Sequence, residues 1–97
     1  MDAVTQDQID TSLDFPSLWG AKFLNDDYTP MDFVMLVLMS HFAQTEQESF
    51  VVMLKVHEEG EAVVGSYTKD IAETKVLHAM RQAAQHGHPL RIEAVAL

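Results

Sequence analysis

The residues best suited to chemistry are Asn25, Asp26 and Asp27, which are adjacent and precede an apolar segment. Asn and Asp side chains readily bond to nearby backbone groups, so these three could simply form a turn before a helix. As a calcium site they are too few, because Ca²⁺ takes about six to eight oxygen ligands. A catalytic pair of carboxylates is also disfavoured, since adjacent Asp side chains in a turn usually point apart and cannot share a proton.

Histidine is the second residue type here that could bind a metal or take part in catalysis. The sequence contains no HExxH motif and no pair of histidines four residues apart, so it lacks the signature of a zinc hydrolase. His86 and His88 could bind a metal weakly, but they flank Gly87, where a helix is expected to end. The G-x-S-x-G, P-loop and G-x-G-x-x-G motifs are absent too. The sequence therefore predicts a protein that is not an enzyme, with no catalytic residues, no metal site and no cofactor.

The composition narrows the possible partners and the location. The net charge of −9 argues against binding to nucleic acids or to anionic membranes, because both are contacted through basic surfaces. The absence of cysteine excludes disulfides and Cys-ligated metals. The longest apolar run, residues 33–39, is much shorter than the roughly 18 residues of a membrane span, and the first residues do not have the pattern of a signal peptide. We therefore expect a cytoplasmic protein.

Charge and hydrophobicity divide the 97 residues into a short leader and one domain. Residues 1–17 carry four aspartates and no Lys or Arg, and their few apolar residues show no period. We expect residues 1–17 to form a flexible acidic N-terminal tail, or alternatively to contain a short partner-binding segment around residues 13–15. Residues 18–97 are expected to form the folded domain, because this length is typical of one hydrophobic core.

Turn and cap residues divide the folded part into six elements. The expected elements are a strand at 22–24, helices at about 30–42 and 46–59, a strand at 62–67, a third helix ending near 85 and a strand at 90–95. Thr29 and Thr45 each begin a capping box, and Gly60 ends the second helix. Either Thr68 or Asp70 caps the third helix. The order β-α-α-β-α-β predicts an α+β fold of two layers, a three-stranded sheet with three helices on one face.

The first of these helices has more apolar surface than a small core can cover. Every residue from 33 to 39 is apolar, so part of the helix must meet a partner, a ligand groove or unusually thick local packing. Met31, Met35 and Met39 lie one turn apart, a spacing that fits core filling as well as an adaptable pocket wall. Next to the acidic turn, an apolar groove is suited to a ligand that is cationic at one end and apolar beside it. The N-terminal residue of a peptide is such a ligand.

Four blocks of the sequence carry a family resemblance. They are LNDDYTPMDFV at 24–34, MLKVH at 53–57 followed by Gly60 and by AVVG at 62–65, DIAETKV at 70–76, and GHPL at 87–90. These blocks occur in the expected order and closely resemble the ClpS adaptor family over about residues 22–93. ClpS proteins capture proteins with destabilising N-terminal residues, chiefly Phe, Tyr, Trp and Leu. They deliver them to a Clp AAA+ unfoldase, ClpA or a ClpC-type relative, for degradation.

The resemblance also implies the roles of individual residues. The substrate α-amine would be bound by Asn25, Asp26, Asp27 and His57. The pocket for the substrate side chain would be lined by Thr29, Met31, Val34, Met53, Val56 and Leu90. The N-terminal domain of the unfoldase would be contacted by Asp70, Glu73, Thr74 and Lys75. Met31 occupies the position at which the family excludes β-branched Ile and Val. The short acidic leader departs from the family pattern, which bears on delivery rather than on capture.

Two other classes of function remain open from the residues alone. A small interaction module could dimerise through the apolar first helix without recognising N-terminal residues. A metal-dependent enzyme could use the acidic turn together with His57. Measuring the molecular mass at rising protein concentration tests for the dimerising module, and a metal titration tests for the metal-dependent enzyme.

Overall fold

The structure, a computed structural model, describes residues 17–97. The three strands are β1 (Trp19–Leu24), β2 (Glu61–Tyr67) and β3 (Arg91–Ala96), and the three helices are α1 (Met31–His41), α2 (Glu46–Glu59) and α3 (Lys69–Gln85). Their order is β-α-α-β-α-β, so the predicted α+β fold is confirmed. The predicted acidic tail at 1–17 lies, except for its last residue, outside the described residues.

The strands form one antiparallel sheet in the order β2-β1-β3. The central strand is the most buried, and Phe23 in it pairs with Ala62 on one side and Ile92 on the other. Alternation along β2 gives the sheet two unlike faces, because Ala62 and Val64 are buried whereas Glu61 and Val63 are exposed. Helix α3 packs against all three strands and α2 packs against β2, so the helices cover the apolar face of the sheet.

Helix α1 begins later than the sequence predicts. Its first residue is Met31, and Pro30 occupies the N-cap position with no side-chain hydrogen bond, so the predicted Thr29 cap is wrong. The hydroxyl of Thr29 instead donates to Oδ2 of Asp26 at 2.9 Å. Helix α1 buries Phe33, Val34, Val37 and Leu38. On its outer side Leu36 is 42% exposed and Met39 is 37% exposed, which shows that the core covers only part of this apolar helix.

Helix α2 has the ends that the sequence predicts. Glu48 N–H donates to the Thr45 hydroxyl at 3.1 Å, and Thr45 N–H donates to Oε1 of Glu48 at 2.8 Å. These two bonds form the capping box and satisfy two donors that a helix start leaves unpaired. Gly60 ends the helix with a φ of 94°, a left-handed conformation that favours glycine. The Gly60 carbonyl then accepts a hydrogen bond from Asn25 N–H at 2.9 Å, which fixes the end of β1 beside the end of α2.

Helix α3 connects the two outer strands and packs against the sheet mainly through small side chains. Thr68 rather than Asp70 takes its N-cap position, although neither side chain makes a capping hydrogen bond. Its buried side chains are Ala72, Val76, Ala79 and Ala83. Three alanines bring the helix backbone close to the sheet. No helix of the described region is both long enough and apolar enough to cross a membrane.

Candidate functional site

A cavity of about 180 Å³ opens where the β1–α1 turn, the start of α1 and the end of α2 meet. It is lined by Leu24, Asn25, Asp26, Asp27, Thr29, Met31, Val34, Met53, Val56, His57 and Leu90. The structure thus brings together every residue that the sequence predicts for the α-amine site and for the side-chain pocket. Leu24 lines the cavity too, although the sequence does not predict it. Its signal is its position as the last strand residue before the acidic turn.

Asp26 organises the acidic turn from within. Its Oδ1 accepts hydrogen bonds from Tyr28 N–H at 2.8 Å and Thr29 N–H at 2.7 Å, and its Oδ2 accepts from the Thr29 hydroxyl. A carboxylate has about four acceptor positions, so most of the capacity of Asp26 is used inside the turn. Burial acts to raise the pKa of Asp26, but these three hydrogen bonds and the nearby His88 outweigh it and hold the pKa below its usual value. Asp26 therefore contributes a fixed negative charge and a fixed backbone shape.

The neighbouring polar side chains are accessible to a ligand. Asn25, Asp27 and His57 are all exposed, and all three line the same cavity. His57 lies in the last turn of α2, close to Gly60, whose carbonyl holds the backbone of Asn25. This hydrogen bond joins the ends of β1 and α2. The side chains of Asn25, Asp27 and His57 therefore lie on one rim of the cavity. Such a rim offers acceptors and negative charge, a combination suited to a small cation such as an α-ammonium group.

The innermost side chains of the cavity are apolar and buried. Val34, Met53, Val56 and Leu90 are each no more than 8% exposed. They come from α1, from α2 and from the segment before β3, so the pocket forms only when the whole domain is folded. A cavity of about 150 Å³ lined by aliphatic side chains is known to hold one benzene molecule. The volume of about 180 Å³ therefore suits one large apolar side chain.

Met31 and Thr29 lie at the mouth of this cavity. Met31 is 44% exposed, which excludes the interpretation that it is only a core-filling residue. Its long unbranched side chain can change conformation to suit a guest. The hydroxyl of Thr29 donates to Asp26, which fixes the orientation of this side chain.

The residues predicted to contact an unfoldase lie on α3 and do not line the cavity. Asp70, Glu73 and Thr74 are exposed, whereas Lys75 is partly buried. The Lys75 ammonium donates to the His41 carbonyl at 3.1 Å and lies 5.3 Å from the centre of the Tyr67 ring. Lys75 thus neutralises the carbonyl end of α1 and joins it to α3, a structural role that the sequence alone does not reveal.

Three other histidines, His41, His86 and His88, contact side chains outside the cavity. The ring of Phe33 lies 5.3 Å from that of His86 and 4.5 Å from that of His88, measured between ring centres. His41 Nε2 lies 2.7 Å from Oε1 of Gln82. In the part of the chain that the structure describes, no three His, Asp or Glu side chains form a group that could hold a metal ion.

Comparisons with known proteins show which family this chain resembles. A family model described as "ATP-dependent Clp protease adaptor protein ClpS" matches residues 15–93. The ATP-dependent Clp protease adapter protein ClpS of Deinococcus radiodurans is 53% identical over 79 residues, which cover 81% of this chain and 70% of that protein. The protein of the same name from Helicobacter hepaticus is 45% identical over 84 residues, covering 87% of this chain and 85% of the relative.

Similarity extends to a solved structure, that of Agrobacterium tumefaciens ClpS2 bound to L-phenylalaninamide. It is 38% identical in sequence and has a TM-score of 0.82, covering 86% of this chain and 100% of that chain. The family match includes every residue that lines the cavity. The chain therefore belongs to the ClpS family of ATP-dependent Clp protease adaptor proteins.

Proposed function

We propose that this protein binds other proteins by their N-terminal residue when that residue is Phe, Leu, Tyr or Trp. It then delivers them to a Clp AAA+ unfoldase of the ClpA or ClpC type for degradation. The observation that carries the proposal is the apolar cavity of about 180 Å³ with an acidic turn and His57 at its mouth. L-Phenylalaninamide, the ligand in the structure of the Agrobacterium relative, has the same two features as the proposed ligand, an α-amine and a large apolar side chain.

The α-amine is recognised at the rim of the cavity. Its ammonium form has three N–H donors, and the acceptors around it are the side chains of Asn25, Asp27 and His57. A hydrogen bond to a charged group contributes about 1.5–3 kcal/mol, which is close to the contribution from burying one Leu or Phe side chain. The two ends of the residue therefore contribute comparably, so neither a free amine nor an apolar side chain alone gives full affinity. An internal residue carries a neutral amide and leaves the acidic rim unpaired.

Delivery uses a different surface from capture. Asp70, Glu73 and Thr74 are exposed on α3, and together with Lys75 they form the surface proposed to bind the N-terminal domain of the unfoldase. Because none of them lines the cavity, a bound substrate and a docked unfoldase need not compete. The protein itself acts as an adaptor and catalyses no reaction, in keeping with the description of its family. A cytoplasmic location stays a prediction.

Peptides that differ only in their first residue test the proposal. In fluorescence anisotropy, we expect the free peptides that begin with Phe, Leu, Tyr or Trp to bind, and those that begin with Ser or Glu to bind much more weakly. N-acetylation should abolish binding because it removes the positive charge. Equal affinity for the free and acetylated forms of one peptide would rule out amine recognition.

A second function, dimerisation through α1, has one observation in its favour. Leu36 and Met39 are 42% and 37% exposed on the outer side of the helix. Mass measurement over a range of concentrations tests it, and a dimer that fails to bind any N-terminal residue would replace the proposal above.

A further inference from the structure

An exposed apolar groove lies between α1 and α2, outside the cavity. We call it the seam groove, and it is lined by Met35, Glu46, Gln47, Phe50 and Val51. Phe50 is 49% exposed and Val51 is 65% exposed. Large apolar side chains exposed side by side are uncommon on a small protein without a partner and typically mark a binding surface. The function proposed above makes no use of this groove.

The seam groove continues the cavity along the same two helices. Met31 lines the cavity and Met35 lines the groove, one helical turn further along α1. Met53 lines the cavity and Phe50 lines the groove, three residues earlier in α2. The start of α1 lies beside the end of α2, so the two helices run antiparallel and both steps lead away from the acidic turn. A chain that leaves the cavity along this seam meets Met35 and Phe50 first.

The spacing of an extended peptide fits this arrangement. In an extended chain the first and third side chains point to the same side, roughly 6.6 Å apart. Met35 lies four residues after Met31 in α1, an advance of about 6 Å along the helix. With its first side chain in the cavity, a bound peptide would therefore place its third side chain over Met35 and Phe50, while its second side chain points away.

We propose that the seam groove binds the third residue of the captured N-terminal segment and selects an apolar side chain there. The inference rests on the proposed function of the cavity and adds a second determinant of specificity to it. The groove has an acidic lining residue, Glu46, and no lining Lys or Arg within the described residues. An acidic third residue is therefore disfavoured. A second copy of the chain is a poorer occupant, because it would bring together two chains with a net charge of −9 each.

Two isomeric peptides test the inference without changing composition. They begin Phe-Ala-Leu and Phe-Leu-Ala, followed by the same labelled tail, and their affinities are measured by fluorescence anisotropy. We expect the peptide with Leu in third place to bind about five-fold more tightly, since part of that side chain leaves water only in this position. Replacing the third residue by Glu should weaken binding relative to Gln.

A matched pair of variants assigns the effect to the groove. Phe50→Ser should remove the preference between the isomers, whereas Leu77→Ser, which alters a similarly exposed residue on α3, should keep it. Equal affinities of the wild type for the two isomers, or a preference that Phe50→Ser leaves intact, would overturn the inference alone. If neither isomer binds better than its acetylated form, the proposed function fails first. If Phe50→Ser converts a dimer to a monomer and the isomers bind equally, the groove belongs to a second copy.

Discussion

At the scale of single residues, we propose that Met31 sets the width of the cavity mouth. It is 44% exposed, so its truncation creates no buried cavity and should cost little stability. Met31→Ala should instead admit peptides that begin with Ile or Val, because β-branched side chains are thick at Cβ, where the long Met crowds the mouth. The ratio of Ile to Leu affinities, measured with otherwise identical peptides, should rise several-fold. An unchanged ratio would show that another residue excludes β-branched side chains.

Asp26 leads to a prediction about acid stability. Its pKa is lowered in the folded protein from the usual value of 3.8, so the carboxylate stabilises the fold above that pH and the contribution is lost as pH falls through the folded pKa. Asp26→Asn lacks the charge, and its side-chain nitrogen cannot accept from the Thr29 hydroxyl. The variant should therefore be less stable than the wild type near neutral pH and approach it at about pH 2. Urea unfolding at both pH values measures this, and a deficit that does not change with pH would contradict it.

Residue types in the acidic turn predict its position but not its internal bonding. Three consecutive polar residues before a proline predict a turn, and the turn is where expected. Thr29 has an equally good pattern for a helix cap, yet its hydroxyl is taken by Asp26. A cap would require the Thr29 oxygen to accept from a helix N–H, but Pro30 rather than Thr29 occupies the N-cap position. From the sequence alone, a role of Thr29 in the turn and a role as helix cap are equally well supported.

At the scale of elements, the helix caps offer a matched comparison. Thr45 and Thr68 both occupy N-cap positions, but only Thr45 makes a side-chain capping bond. Thr45→Ala should lower the free energy of unfolding by about 1 kcal/mol, the typical cost of losing a cap. Thr68→Ala should cost distinctly less, because it removes no capping bond. Chemical denaturation of the two variants side by side measures the difference, and equal losses would mean that the bond at Thr45 contributes nothing.

Helix α3 is expected to carry the unfoldase surface separately from the peptide site. Asp70→Ala combined with Lys75→Ala should weaken docking to the N-terminal domain of a ClpA or ClpC-type unfoldase and leave peptide affinity intact. Since Lys75 also bonds the His41 carbonyl, some loss of stability is expected in addition. Asp70→Ala alone avoids that complication and serves as the control. Loss of peptide binding in the Asp70→Ala variant would mean that the two surfaces are coupled.

The bounds of a helix or strand could be predicted where residues within that element determine them. They were less predictable where contacts with residues distant in sequence determine them. The Thr45 box and Gly60 act within α2, and the helix has the predicted bounds. Strand β1 is longer than the predicted 22–24 and begins at Trp19, because pairing with strands on both sides extends it. Such pairing depends on residues 61–67 and 91–96, which are distant in sequence. The hydrogen bond between Lys75 and α1 could not be predicted either, because its two partners are distant in sequence.

At the scale of the whole molecule, the cavity is a product of the complete fold. Its apolar walls come from α1, α2 and the residue before β3, and its rim depends on the bond between Asn25 and Gly60. Composition and periodicity alone predict only an apolar groove beside an acidic turn. The grouping of the ten predicted residues follows from the family resemblance, and their binding roles stay predictions. The seam groove was not predictable, because the exposure of Phe50 becomes evident only once α1 and α2 are packed.

The rim formed by Asn25, Asp27 and His57 predicts a bell-shaped dependence of peptide affinity on pH. A free peptide α-amine has a pKa of about 7.7–8.0, and we propose that the acidic rim binds its charged form. Binding favours that form and raises the pKa of the bound amine, so affinity should fall on the alkaline side, as the free peptide loses its proton. On the acid side, the His57 ring can accept a hydrogen bond from the ammonium only while it is neutral. Its protonation puts two cations in one small site and weakens binding.

The His57→Gln variant separates the two limbs of this profile. Glutamine keeps an acceptor oxygen but takes up no proton, so the variant should still bind near neutral pH and should lose the acid limb. The alkaline limb should remain, because it belongs to the peptide. Anisotropy titrations of one Phe peptide from about pH 5 to pH 9 give both limbs, and the acetylated peptide provides the baseline. Asp26 stays ionised throughout this range, because its pKa lies below 3.8. An acid limb that persists in the variant would therefore point away from both His57 and Asp26, and Asp27 would be the next carboxylate to replace.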